Sequence, residues 1–304
     1  MRLATVITDR GPRLHVRGSN GGYVDVAQAT GDQRLSALEA VLAGGAEVLE
    51  LVARAALMEG REIEEAQLGP AVPSPRRILC LGINYVEHAL EGGRPPATWP
   101  ETFVRGAESV ASPFGDLVKP ALCERFDFEG ELGLVVGRGG RYIRAQDAVD
   151  ALLGYTILMD GSAREWQRAA SQWTAGKNFD ATMPIGPEIV TTDELDASDL
   201  RLTTTLNGEV MQSASTSQMI FSIAQTVEFL SSFTTLHPGD VIATGTPGGV
   251  GFARKPPVWL KPGDLLEVSI EGIGRIANRV VAEEETEALQ DWPWAPPTPD
   301  RATL

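Results

Sequence analysis

The segment Phe126-Asp-Phe-Glu-Gly-Glu-Leu-Gly-Leu-Val-Val136 constrains the fold more than any other. Its apolar positions recur with period two, so Phe126, Phe128, Leu132, Leu134 and Val136 share one face of a strand. Glu129 and Glu131 then fall together on the other face, where two carboxylates repel. Either that face is wet, or a bound cation or shared proton compensates the repulsion. A second apolar strand, Gly154-Tyr-Thr-Ile-Leu-Met159, ends directly on Asp160. A carboxylate there either serves the turn or faces a cleft. Together the three acids offer oxygen alone, which suits Mg²⁺, Mn²⁺ or Ca²⁺ and disfavours zinc.

Around these strands the chain reads as mixed α+β and mainly β. Gly 32 and Pro 20 favour tight turns over a helical bundle, and 304 residues suffice for one large domain or two modest ones. Residues 1–72 look like a small N-terminal α/β domain, with short strands at 3–8 and 14–16 and helices at 33–43 and 46–58. Gly69-Pro-Ala-Val-Pro-Ser-Pro75 is a linker by composition. The main domain, 73–290, begins with Arg77-Ile-Leu-Cys-Leu-Gly82, continuous and apolar as a buried strand should be. A Pro/Trp-rich tail, 291–304, is expected to run extended, its tryptophans packing on the body or on a partner subunit. Pro-Gly-Asp occurs at 238–240 and again at 262–264, which predicts one turn type used twice before a strand.

A formal charge of -15 argues against nucleic acid as a partner, because phosphate binding needs clustered Lys and Arg. The two cysteines, Cys80 and Cys123, have no metal-ligand spacing and make no disulfide framework. Neither a signal-peptide core nor a membrane-length apolar run occurs, so a cytoplasmic, reducing location and no membrane partner are expected.

Further polar candidates flank the acids. Ser162 is the expected N-cap of a helix over 163–170, on which Arg164 and Gln167 share a face. They hold a substrate oxygen or lie on a solvated face. Asn84 is the expected cap of a short helix carrying His88 and Glu91 within hydrogen-bond reach. A carboxylate beside an imidazole orients it as a general base, although an exposed pair has the same spacing. His15 and His237 sit in less suggestive contexts. Lys177 stands in a predicted polar loop, either stabilising negative charge or simply solvated. Thr244-Gly-Thr-Pro-Gly-Gly-Val-Gly251 is neither a Walker loop nor a dinucleotide fingerprint. Its glycines do let backbone N–H groups and the Thr246 hydroxyl approach a small anion.

In order, these segments resemble the fumarylacetoacetate hydrolase superfamily. The matching pieces are Leu81-Gly-Ile-Asn-Tyr-Val-Glu-His-Ala-Leu-Glu91, Asp127-Phe-Glu-Gly-Glu-Leu132, Gly154 to Asp160 with Arg164 and Gln167, and Gly176-Lys-Asn-Phe-Asp180. Leu206-Asn-Gly-Glu209, the glycine-rich run and Leu260-Lys-Pro-Gly-Asp264 continue the match. The resemblance implies a mixed β-roll, usually a homodimer, with metal on Glu129, Glu131 and Asp160. It implies a catalytic Lys177, a His88–Glu91 dyad, and substrate contacts from Arg164, Gln167, Gly245 and Thr246. Met159 stands where members commonly have Asn, and Gly161-Ser162 also departs, which bears on substrate preference.

The implied cofactor is Mg²⁺, with Mn²⁺ or Ca²⁺ as alternatives, and the implied substrate is a small 2-oxo acid. The expected reaction is hydrolytic C–C cleavage of an acylpyruvate-like diketo acid through a metal-stabilised pyruvate enolate. Isomerisation, decarboxylation or hydration of a 2-oxo or 2-hydroxy dienoate diacid, in aromatic or sugar-acid catabolism, is the alternative. A non-catalytic metal-stabilised binding protein would need none of Lys177, His88 and Glu91.

Overall fold

The computed structural model describes residues 1–284, 286–290 and 292–294. Three strands open the chain, β1 (Arg2–Thr8), β2 (Gly11–Arg17) and β3 (Tyr23–Asp25), followed by helices α1 (Val26–Thr30) and α2 (Leu38–Ala55). Asp25 caps α1 by accepting from the Gln28 N–H. The two expected helices meet differently: residues 33–36 form a 3-10 turn, and α2 runs to Ala55 with a non-helical break at Gly45.

The body continues with β4 (Ile78–Gly82), α3 (Val86–Glu91), β5 (Glu101–Arg105), β6 (Val110–Ala111), β7 (Leu117–Lys119), β8 (Phe126–Asp127) and β9 (Gly130–Val136). Next come β10 (Leu152–Met159), β11 (Ser162–Ala163), α4 (Arg164–Arg168), α5 (Thr174–Lys177) and β12 (Met183–Thr191). The remainder is β13 (Arg201–Leu206), β14 (Glu209–Ser215), α6 (Ile223–Phe233), β15 (Val241–Ala243), β16 (Leu265–Ile270), β17 (Gly274–Ala282) and α7 (Glu287–Gln290).

One mixed sheet runs β3-β2-β1-β12-β10-β9-β15-β4-β5, with β6 added beside β12; a second runs β14-β13-β16-β17-β7. The second sheet packs on one face of the first, where Leu202, Val268 and Ile276 meet Leu132 and Leu134. On the other face Leu38, Val41 and Val52 of α2 meet Ile78, Cys80, Val135 and Leu158. Covered on both sides, β9 and β10 are buried along their whole length. The apolar run in β4 divides accordingly, Leu79 and Leu81 into one core, Ile78 and Cys80 into the other. β1 pairs with β12, Leu3 opposite Ile189, so the first strands extend the body's sheet.

The strand expected over 126–136 is broken at 128–129 into β8 and β9. Its apolar face is intact, since Phe126, Phe128, Leu132, Leu134 and Val136 all enter one core. The two Pro-Gly-Asp segments are the same turn. Gly239 and Gly263 have φ of 84° and 97°, and Asp240 and Asp264 accept the His237 and Lys261 N–H groups at 2.8 Å. Trp292 and Trp294 are exposed; the rest of the expected tail, 291 and 295–304, lies outside the described residues. No helix among the described residues is long and apolar enough to cross a membrane.

His15 of β2 is buried, its ring Nδ1 3.1 Å from the Arg13 carbonyl. Burial lowers its pKa from the ordinary 6.5, so the folded imidazole is neutral where the unfolded one is protonated. The unfolded chain then binds the extra proton, and this contribution to stability is lost as pH falls below that value. The slope is at most about 1.4 kcal/mol per pH unit. His15→Asn keeps a donor towards the Arg13 carbonyl and cannot titrate. Urea unfolding across this range should show a flatter pH dependence for the variant; parallel curves would contradict a neutral His15.

Candidate metal centre and active site

The register of β9 against β10 assembles the acids. Met159 lies opposite Gly130 and Leu158 opposite Glu131. The next residue, Asp160, therefore arrives beside Glu129, and its N–H donates to the Glu129 carbonyl at 2.8 Å. Period two keeps Glu131 on the side of Glu129. One carboxylate oxygen from each of Glu129, Glu131 and Asp160 lies within 4.8 Å of the others. Their exposures are 4%, 2% and 1%, which removes the wet-face alternative.

Burying these charges requires opposite charge close by. Lys177 Nζ donates to Glu129 Oε2 at 2.5 Å and to Asp160 Oδ2 at 2.6 Å. Arg164 donates to Glu129 Oε1 at 2.6 Å and to Asp127 Oδ2 at 2.8 Å. Arg105, wholly buried, pairs with the second Asp160 oxygen and donates to the Gly161 carbonyl at 3.0 Å and the Thr182 hydroxyl at 2.6 Å. Among the described residues, Glu131 receives only the Gly245 N–H, at 2.8 Å.

Three cations thus face four carboxylates, Asp127, Glu129, Glu131 and Asp160, and among the described residues Glu131 is the one left without a partner cation. Burial pushes the Glu131 carboxyl well above its ordinary range, and the charges of Asp160 and Glu129 push it further. Burial opposes ionisation of Glu129 too, but Arg164 and Lys177 outweigh it and hold that carboxyl well below its usual range. For Lys177, burial is outweighed by Asp160 and Glu129, and its pKa rises. Three adjacent oxygen donors, one lacking a counter-charge, fit a hard divalent cation.

The triad lines a cavity of about 180 Å³ together with His88, Arg164, Gln167, Lys177 and Thr246. His88 Nδ1 is 2.8 Å from Glu91 Oε1, and Glu91 Oε2 accepts the Gly249 N–H at 2.7 Å. Gln167 Oε1 accepts from Arg164 Nη1 at 2.9 Å, and both side chains are buried, not solvated. Lys177 ends the short helix α5 and is buried; the expected polar loop is absent there.

Two expected caps are corrected. Asn84 does not cap α3: its amide donates to the Thr244 and Phe221 carbonyls, and its oxygen accepts the Phe221 N–H. It ties the start of α3 to the glycine-rich loop. Ser162 does not cap α4, because it pairs within β11 opposite Asp127 and its hydroxyl donates to the Asp160 carbonyl. In the glycine-rich loop, Gly245 has φ 96°, and a Cβ there would stand 2.7 Å from the Asn84 Cβ. The Thr246 hydroxyl donates to the Gly130 carbonyl at 2.9 Å and accepts from Gln212 at 2.7 Å. Its single proton is therefore already engaged.

Residues 77–281 match the family model described as fumarylacetoacetate (FAA) hydrolase C-terminal. The chain belongs to the fumarylacetoacetate hydrolase family. It is 38% identical over 276 residues to the Bos taurus protein named mitochondrial oxaloacetate tautomerase FAHD2A, covering 89% of this chain and 88% of that one. It is similar to a solved structure titled as a putative HpcE protein from Mycobacterium smegmatis, with TM-score 0.85 and 36% identity over 93% of this chain and 100% of that one. Maleylpyruvate hydrolase from Sphingobium sp. SYK-6 gives TM-score 0.75 and 30% identity, again over 93% and 100%. This fumarylacetoacetate hydrolase family enzyme thus has hydrolases and tautomerases among its relatives.

Several residues of this family site escaped the sequence reading. Asp127 accepts from Arg164 and from the Gly251 and Phe252 N–H groups; it shares the parity of Glu129 and Glu131, which was the available signal. Arg105 gave none, lying at the end of a strand whose first and third residues are also polar or partly exposed. Gln212, which fixes Thr246 and accepts the Gly130 N–H at 3.0 Å, also carries no motif.

Glu131→Gln breaks no ion pair, because Glu131 has no partner cation among the described residues. Without divalent cation the variant should be as stable as the wild type or more so, while losing the rise in thermal stability that Mg²⁺ or Mn²⁺ gives the wild type. Glu129→Gln breaks pairs to Arg164 and Lys177 and should cost about 3–5 kcal/mol in chelator-treated protein. Differential scanning calorimetry with and without metal checks both; the reverse ranking would show that Glu131 has a counter-charge. Arg105→Met should likewise destabilise the metal-free protein in urea by about 3–5 kcal/mol, with partial recovery in Arg105→Lys.

Proposed function

We propose that this enzyme acts on a small 2-oxo acid through its enolate, with a divalent cation held by Glu129, Glu131 and Asp160, and that its reaction is keto–enol tautomerisation of oxaloacetate or a close analogue. One observation carries the proposal: a buried carboxylate triad short of one positive charge lines the same small cavity as an imidazole oriented by a carboxylate. The naming of a relative 38% identical across most of the chain supports tautomerisation over the C–C hydrolysis expected from sequence.

Mg²⁺ or Mn²⁺ suits the three oxygen donors and, when bound, supplies a Lewis acid that lowers the cost of enolate charge. Lys177 and Arg164 add fixed positive charge beside it, in a site too buried for water to screen them. Gln167, its oxygen tied to Arg164, has an amide N–H₂ to offer a substrate oxygen. With Nδ1–H directed at Glu91, His88 presents its Nε2 lone pair to the cavity. That nitrogen takes the proton from the carbon next to the 2-oxo group and returns it to oxygen, breaking C–H and forming O–H without net oxidation. Glu91 keeps the ring in this tautomer and is itself fixed by Gly249.

A second reading, hydrolysis of an acylpyruvate, uses the same dyad to activate water, and the similarity to maleylpyruvate hydrolase supports it. Decay of the enol absorbance of oxaloacetate, with Mg²⁺ or Mn²⁺ and with EDTA, tests the first. Acceleration abolished by EDTA is expected. His88→Gln should lower kcat about 10²- to 10⁴-fold, and Glu91→Gln should lower it less. No metal-dependent acceleration, alongside metal-dependent cleavage of acylpyruvates, would replace the tautomerase by the hydrolase.

A further inference from the structure

Arg164 and Arg168 are four residues apart on α4 and so share a face. Both guanidinium groups lie over the ring of Phe252, their central carbons 4.6 and 4.5 Å from its centroid. The ring face attracts cations, but two like charges on one ring repel each other. Arg164 is relieved by Asp127 and Glu129. Arg168 has no carboxylate and no side-chain hydrogen-bond partner among the described residues, yet it lines the cavity at its exposed end. Arg94, the other exposed arginine lining the cavity, is already paired with Glu101. The mouth therefore holds a guanidinium that is positioned by packing and lacks an anion.

Resting on the 2-oxo acid reading, we propose that Arg168 is a specificity-determining residue that binds a second carboxylate at the distal end of the substrate, so that the enzyme selects dicarboxylic over monocarboxylic 2-oxo acids. Arg164 is buried and paired with Glu129 of the triad, whereas Arg168 is exposed, so Arg168 stands nearer the mouth of the cavity. A planar guanidinium with free N–H groups meets a carboxylate bidentately, and the Phe252 ring limits the orientations it samples. The triad end and the Arg168 end then grip the two ends of one ligand.

Binding tests this without requiring turnover. The probes are 2-oxopentanedioate and 2-oxopentanoate, identical except for the distal carboxylate, titrated into Mg²⁺-loaded protein. Trp173 lines the cavity and supplies the fluorescence signal. The wild type should bind the dioate about ten- to a hundredfold more tightly, the scale of one charge-assisted contact. Arg168→Met, which keeps the stem packed on Phe252, should abolish that preference while leaving the monoacid Kd within about twofold; Arg168→Lys should retain part of it. A preference that survives in Arg168→Met, an equal loss for both acids, or no binding of either acid to the wild type overturns the proposal. Discrimination by the wild type with no metal-dependent tautomerisation would instead sink the tautomerase and leave this assignment standing.

Discussion

A carboxylate is tolerated in a protein interior when its charge is matched, and β9 and β10 bring three of them within 4.8 Å of one another. The pairing of Met159 with Gly130 makes this unavoidable, because it delivers Asp160 to Glu129 one residue later. Much of the surrounding structure exists to supply opposite charge at that point. β5 ends on Arg105, α4 begins with Arg164 and α5 ends with Lys177, three cations from three elements converging on one pair of strands. Asp127 then holds Arg164 in place and, through the Gly251 and Phe252 N–H groups, the end of the glycine-rich segment as well.

The sequence makes the strand content and the acids readable because both follow local periodicity. Alternation over 126–136 yields the buried face and the parity of Glu129 and Glu131, and the apolar run 77–82 yields a strand buried on both sides. Whether that acidic face was wet or buried depended on what covered it, and its cover comes from residues far away in the chain. Arg105 and Gln212 are the plainest cases: each is decisive only through partners dozens of residues distant. The misplaced caps have the same origin. Asn84 and Ser162 have the right chemistry for a helix start, but tertiary partners claim their side chains, the Phe221 and Thr244 backbone for one and the β8–β11 pairing for the other.

The family's hydrolases and tautomerases need a common binding end and a variable treatment of what is bound there. The geometry divides in that way. The triad, Arg164 and Lys177 are anchored on central strands and the short helices beside them, with ion pairs on nearly every side. The dyad instead rides on α3, a helix of 6 residues that is fastened by Asn84 to Thr244 and by Glu91 to Gly249. Both fasteners attach to the glycine-rich segment, whose Gly245 N–H also meets Glu131. One segment thus couples the position of His88 and Glu91 to the carboxylate that lacks a partner cation among the described residues.

That coupling bears on how a protein of formal charge -15 would bind the proposed acid. Beyond roughly 8–10 Å the surface charges are screened at ordinary ionic strength, so the local inventory decides. With all four carboxylates ionised, that inventory is one negative charge in excess, and burial with the charges of Asp160 and Glu129 drives Glu131 towards its protonated form until a cation takes the proton's place. A divalent cation on the triad would turn the excess into one positive charge, with Arg164 and Lys177 already fixed alongside. Anion binding and cation binding at this site are then linked: each lowers the cost of the other by cancelling its charge in a region where water cannot. On the proposed function, the glutamate without a partner cation would make substrate affinity conditional on metal, and is not a defect in the packing of the core.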